Sequence, residues 1–176
     1  MEKLYGVELE IDYREAPLAS NGTLLGLADA RAFVSYIDRE ELLAFNIRKF
    51  LGIRTGSVNS KIKETLESEV RRANFWTFNN GIVCLCTNAA QIGESTRYRF
   101  TDFTIVNGAQ TVSTISLFLN ENPTILEDEP VWVVCKTMKV EPTDLDTAVK
   151  LTQTSNTQTP ASGKDLRAVD QGHVRL

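Results

Sequence analysis

Apolar positions along this chain change period several times, and each change marks an element. Residues 4–12 alternate loosely, with Leu4, Val7, Leu9 and Ile11 separated by Glu8, Glu10 and Asp12, as in a strand with one wet face. Asn21-Gly22 is a turn signal. Thr23 to Val34 places Leu24, Leu25, Leu27, Ala28, Ala32 and Phe33 in an order that suits a helix, or a strand followed by a helix. Asp38 to Leu51 predicts a helix with a wide apolar face of Leu42, Leu43, Phe45, Ile47, Phe50 and Leu51. Asp38 would cap it, Glu40 and Glu41 suit its first turn, Arg48 and Lys49 its last, and Gly52 its C-terminal cap. A second helix is expected from Lys61 to about Ala73, capped from Ser57–Ser60, with Ile62, Leu66 and Val70 as a narrow buried stripe.

Phe75-Trp-Thr-Phe78 leads into Asn79-Asn80-Gly81, and Ile82-Val-Cys-Leu-Cys-Thr87 then reads as a strand buried on both faces. Asn88 to Thr96 is a turn region, after which Arg97 enters a strand continuing through Val106. Asn107-Gly108 breaks that strand, both residue types tolerating positive φ, and a helix starts near Gln110-Thr111. Asn122-Pro123 ends it; Pro130 to Met138 is another β-prone run. Thr143-Asp-Leu-Asp146 resembles a capping box that opens a helix to about Thr154, followed by a polar loop over Thr152–Gly163 and a further helix start from Lys164. The order predicts an α/β (α+β) fold, a mixed β-sheet flanked by helices, in a single domain over 1–176. The chain stops without a cap or polar tail, which predicts an N-terminal portion of a longer protein whose C-terminal remainder is one of its partners.

Composition narrows the chemistry. No apolar run approaches the roughly eighteen residues that span a bilayer, and the N-terminus has no signal-peptide pattern, so no membrane partner is expected and the cytoplasm is the default compartment. Cys84, Cys86 and Cys135 form no CxxC pair, and Cys84 and Cys86 would share one face of a strand as small buried hydrophobes. His173 is the single histidine, which leaves little material for a zinc cluster or a Ser-His-Asp triad. The net charge of −4 is unevenly spread, with seven basic residues (Arg48, Lys49, Arg54, Lys61, Lys63, Arg71, Arg72) within 46–75 and seven acids within 121–146. A local basic face of this kind meets phosphate, or is simply the solvated side of a helix.

The candidate site is built from three uncharged polar clusters. Asn79-Asn80-Gly81 precedes one buried strand, Asn107-Gly108-Ala109-Gln110-Thr111 follows the next, and Asn156-Thr157-Gln158-Thr159-Pro160 follows a later helix. A strand turning tightly into a helix aims free backbone N–H groups and the positive end of the helix dipole at one spot, a place for an anion. Together the clusters predict a pocket lined by Asn79, Asn80, Gly81, Asn107, Gly108, Gln110, Thr111, Asn156 and Gln158, with charge from Arg48, Arg71 or Arg72 on the flank. Each cluster taken alone is also an ordinary turn.

These residues carry a resemblance. Phe45-Asn-Ile-Arg-Lys-Phe-Leu-Gly52, Val58-Asn-Ser-Lys-Ile62 with Thr65-Leu66, Phe75 to Ile82, Ile105-Val-Asn-Gly-Ala-Gln-Thr111 and Asn156-Thr-Gln-Thr-Pro160 resemble the successive motifs of the AIPR family, the abortive-infection phage-resistance proteins of bacteria. The motif-bearing part is about 40–176, and the resemblance implies a role in anti-phage defence. More distantly, the strand, Asn-Gly-x-Gln-Thr turn and helix resemble ParB/sulfiredoxin-like domains, where such a turn binds nucleotide phosphates, and the DGQHR-motif proteins. The basic residue those relatives place in the turn is absent here, as is the sulfiredoxin cysteine, since Ala109, Gln110 and Thr111 follow Gly108.

Three functions follow: a domain that binds a nucleotide or nucleic acid; a metal-dependent nuclease or nucleotidase component, with Asp102 and Asp170 as candidate carboxylates; and a non-catalytic interaction or sensing module in which the amides lock loops. A second copy of the chain is a further candidate partner. No cofactor is assigned by the sequence.

Overall fold

The computed structural model describes residues 4–43 and 58–157. Strand β1 (Val7–Asp12) is followed by the short β2 (Leu18–Ser20) and by β3 (Thr23–Asp29), after which the chain makes 3₁₀ turns over Ala30–Tyr36 and Glu40–Leu43. The ambiguous 23–34 segment is therefore a strand and then a helical turn, and Asp29 closes the junction by accepting the Arg31 N–H at 3.1 Å. Of the helix expected over 38–51, residues 44–51 lie outside the described residues.

Helices α1 (Val58–Glu67) and α2 (Glu69–Ala73) replace the one continuous helix expected to run to Ala73. Ser68 breaks it: in extended conformation, it caps α2 through Arg71 N–H. The break turns the helical phase, so Ile62 and Leu66 are buried while Val70, read as the third member of their stripe, is 76% exposed. Next come α3 (Phe75–Phe78), β4 (Ile82–Cys86) and β5 (Asn88–Gln91), then β6 (Arg97–Asn107) and α4 (Ala109–Glu121). The region 88–96, expected as a turn, holds β5, which pairs antiparallel with β6. Pro123 opens a further short helix, α5 (Pro123–Asp128), at the first-turn position where its missing N–H is harmless. β7 (Trp132–Lys139) and α6 (Leu145–Thr157) complete the described chain.

The strands form one seven-stranded mixed sheet in the order β1-β6-β4-β7-β3-β2, with β5 beside β6. β4 and β7 pair in parallel and the other ladders are antiparallel. An antiparallel bridge from Tyr13 to Ala28 ties the end of β1 to β3, so the sheet curls on itself. The apolar run 82–86 divides between its two faces. Ile82, Cys84 and Cys86 enter the main core with Phe100, Phe103, Ile105, Val112 and Ile115. Val83 and Leu85 face a smaller cluster with Val106, Met138 and Ala148, covered by α6. Burial raises the Cys84 thiol and pushes Cys86 up to about 12, so both sit in the fold as neutral hydrophobes. α4 is buried on nearly every side, from Ala109 through Leu119 except Gln110 and Leu117, which makes it the element the rest packs around.

Candidate functional site

Register brings the first two amide clusters together. Val83 pairs with Asn107, so the turn that opens β4 lies beside the turn that ends β6. Gly81 and Gly108 both hold positive φ, at 80° and 92°, a region that L side chains rarely adopt. They also pack against each other: a Cβ on Gly108 would come within 2.6 Å of the Ile82 Cγ2 and 2.9 Å of the Gly81 carbonyl oxygen, and one on Gly81 would run into the Val134 carbonyl.

The amides then stitch the turns to the helices. Asn79 Oδ1 accepts the Gly81 N–H at 2.8 Å, an Asx turn, while its Nδ2 donates to Thr111 Oγ1 at 3.3 Å in the first turn of α4. Asn107 Nδ2 donates to the Ser155 carbonyl at 2.6 Å. Asn156 answers from α6, donating to the Val106 carbonyl at 2.9 Å and to Thr152 at 2.8 Å. The third cluster thus reaches the second through a helix, not through the loop expected from Thr152 onward. α6 runs to Thr157, so Asn156 stands one helical turn above Thr152, on the face that meets β6. That extension was readable, since no breaker stands before Pro160.

Three sequence-nominated segments meet in space, and three of their five described side-chain amides, those of Asn79, Asn107 and Asn156, are occupied by the protein itself. Asn80 is exposed and Gln110 half-buried, and the side chain of neither has a hydrogen-bond partner among the described residues. Gly108 caps α4 with no side-chain hydrogen bond, so the first N–H groups of a 13-residue helix have no side-chain cap. Gln158 and Arg48 lie outside the described residues. Arg71 is exposed, whereas Arg72 is buried, donating to Glu129 at 3.2 Å and to the Leu66 carbonyl at 2.7 Å with its guanidinium over the Phe118 ring. Sequence reading treated the two arginines as equals and missed this brace.

Asp102 accepts the Thr87 hydroxyl at 2.8 Å and has φ 51°, opposite the irregularity in the β1–β6 ladder. Asp170 lies outside the described residues, among which no three His, Cys, Asp or Glu side chains are grouped to hold a metal ion. Elsewhere, a cleft of about 390 Å³ is lined by Glu10, Asp12, Asp29, Arg31 and Arg97, paired with one another as Arg97–Asp12 and Arg31–Asp29. Among the described residues no helix is long and apolar enough to cross a membrane.

Asn107→Ala is expected to lower stability by about 1 kcal/mol in urea unfolding, the scale of one lost hydrogen bond that leaves a carbonyl unanswered. It should also raise hydrogen exchange in the last turn of α6, since Asn107 holds that turn through Ser155.

The fold and this junction define an α+β protein organised around a glycine-framed, amide-braced helix start. Residues 43–176 match the model of the AIPR protein family, and the chain belongs to that family. This places it among the proteins of abortive infection and phage resistance. Comparison with curated proteins and with solved structures gives no match.

Proposed function

We propose that this domain is the ligand-recognising part of an anti-phage defence protein, and that it takes a nucleotide or a nucleic-acid end at the start of α4. The observation that supports this is the meeting of three amide-bearing segments around a helix N-terminus whose cap, Gly108, has no side chain. A phosphate there accepts backbone N–H groups and is favoured by the helix dipole. Gly81 and Gly108 let the two turns pack tightly against Val134 and Ile82, Asn79, Asn107 and Asn156 hold the frame, and Asn80 and Gln110 supply the free amides. Exposed Arg71, on α2 and separated from the Asn79 turn by the four residues of α3, offers the charge that the turn lacks.

Calorimetric titration with a panel of nucleoside triphosphates and short single strands tests this reading. Saturable binding between micromolar and millimolar is expected; no heat at millimolar ligand with folded protein overturns it. One observation favours a second reading, an interaction or sensing module: Asn79, Asn107 and Asn156 are all bonded within the protein. In that case Asn80→Ala and Gln110→Ala leave defence activity in cells unchanged, whereas a ligand site loses it without losing stability.

A further inference from the structure

We infer that Phe78 is a stacking platform for a nucleobase, so that the ligand of this site carries an unpaired base and is not a bare polyphosphate. The inference rests on the phosphate reading above and adds the part of the ligand that carries identity. Phe33, Phe75, Phe100, Phe103 and Phe118 are all buried, while Phe78 is 59% exposed. Its position is held from both sides. It ends α3, whose Phe75 is anchored in the core, and its neighbour Asn79 is bonded to Gly81 and to Thr111. One Cα step of about 3.8 Å therefore separates Phe78 from a residue touching the first turn of α4.

The surroundings suit a base. Asn80, exposed and unpartnered among the described residues, carries both a donor and an acceptor for a base edge. The four residues of α3 carry no charge, so attraction here comes from a π-face and apolar contact, which accept any base. Phosphate at the start of α4 and base over Phe78 divide the work between backbone dipole and aromatic ring.

The test titrates the full chain with ATP, a short oligothymidylate single strand and inorganic tripolyphosphate, in the wild type, Phe78→Ala and Phe78→Tyr. Wild-type protein is expected to bind ATP or the single strand about tenfold or more tightly than tripolyphosphate. Phe78→Ala should bring base-bearing ligands down to the tripolyphosphate level while leaving tripolyphosphate affinity and Tm unchanged, and Phe78→Tyr should keep wild-type affinity. Tighter binding of ATP assigns the base to a mononucleotide, and tighter binding of the oligonucleotide assigns it to a strand. Equal wild-type affinity for ATP and tripolyphosphate, or nucleotide binding indifferent to Phe78→Ala, overturns the stacking role and leaves the ring as an apolar contact for a protein. Failure of the wild type to bind any of the three overturns the phosphate reading and this one together.

Discussion

Gly81→Ala is expected to destabilise the protein by about 3–4 kcal/mol, which for a chain of this size lowers Tm by roughly 10 °C. Two terms add. A side chain at φ 80° sits in the left-handed region, at a cost of about 1–2 kcal/mol. The new methyl also points at the Val134 carbonyl, a backbone atom in the middle of the sheet that moves only if β4 and β7 separate, and overpacking of that kind costs about 1–3 kcal/mol. Gly108→Ala meets first the Ile82 Cγ2, a side-chain atom that can shift, so its loss should be the smaller of the two. Urea unfolding followed by circular dichroism gives both numbers. A Gly81→Ala loss under about 1 kcal/mol would show that the turn is loose enough to re-form, and the frame assigned to the site would fail with it.

Arg72→Ala should be the next most damaging change, at about 2–3 kcal/mol. The guanidinium joins the Leu66 carbonyl in α1, the Glu129 carboxylate that follows α5, and the Phe118 ring in α4, so its removal unties three elements. Glu129 remains partly solvated, with its side chain 44% exposed, which keeps the expected loss below that of a fully buried ion pair. Arg71→Ala is the control, because that side chain faces water and should change stability by less than about 0.5 kcal/mol. Nucleotide binding, measured on folded protein, is expected to weaken in the Arg71 variant and to hold in the Arg72 variant. The reverse pattern would show that the arginine assignments are exchanged.

Much of the candidate site was legible because its signals are local. Asn-Gly after a β-prone run and before a helical period is a backbone instruction, and the 105–111 segment follows it as a strand, an αL glycine and a helix. The strand 82–86 was legible for the same reason, since an uninterrupted apolar run has no wet face to turn outward. Where a weak local signal met a stronger neighbour, reading failed. Ser68 looked like a surface residue of one long helix, and its hydroxyl instead started a new one. Asn156 looked like loop because Thr, Ser and Asn are poor helix formers, but contact with the end of β6 holds the last turn of α6 together. β5 escaped notice because Asn88–Gln91 has little strand propensity, and pairing with β6 makes it a strand.

What the sequence determined by itself is the fold class, the strongly patterned elements such as 82–86 and 105–119, the family, and the three polar clusters, because periodicity and turn chemistry act over a few residues. Tertiary structure alone decided which amides are free. Whether Asn79 or Asn80, Arg71 or Arg72, Phe75 or Phe78 faces inward depends on register between strands and on helical phase after a break, which no short window of sequence contains. The same pairing set Gly81 against Val134 and Gly108 against Ile82, turning two glycines that read as ordinary turn formers into one tightly packed junction.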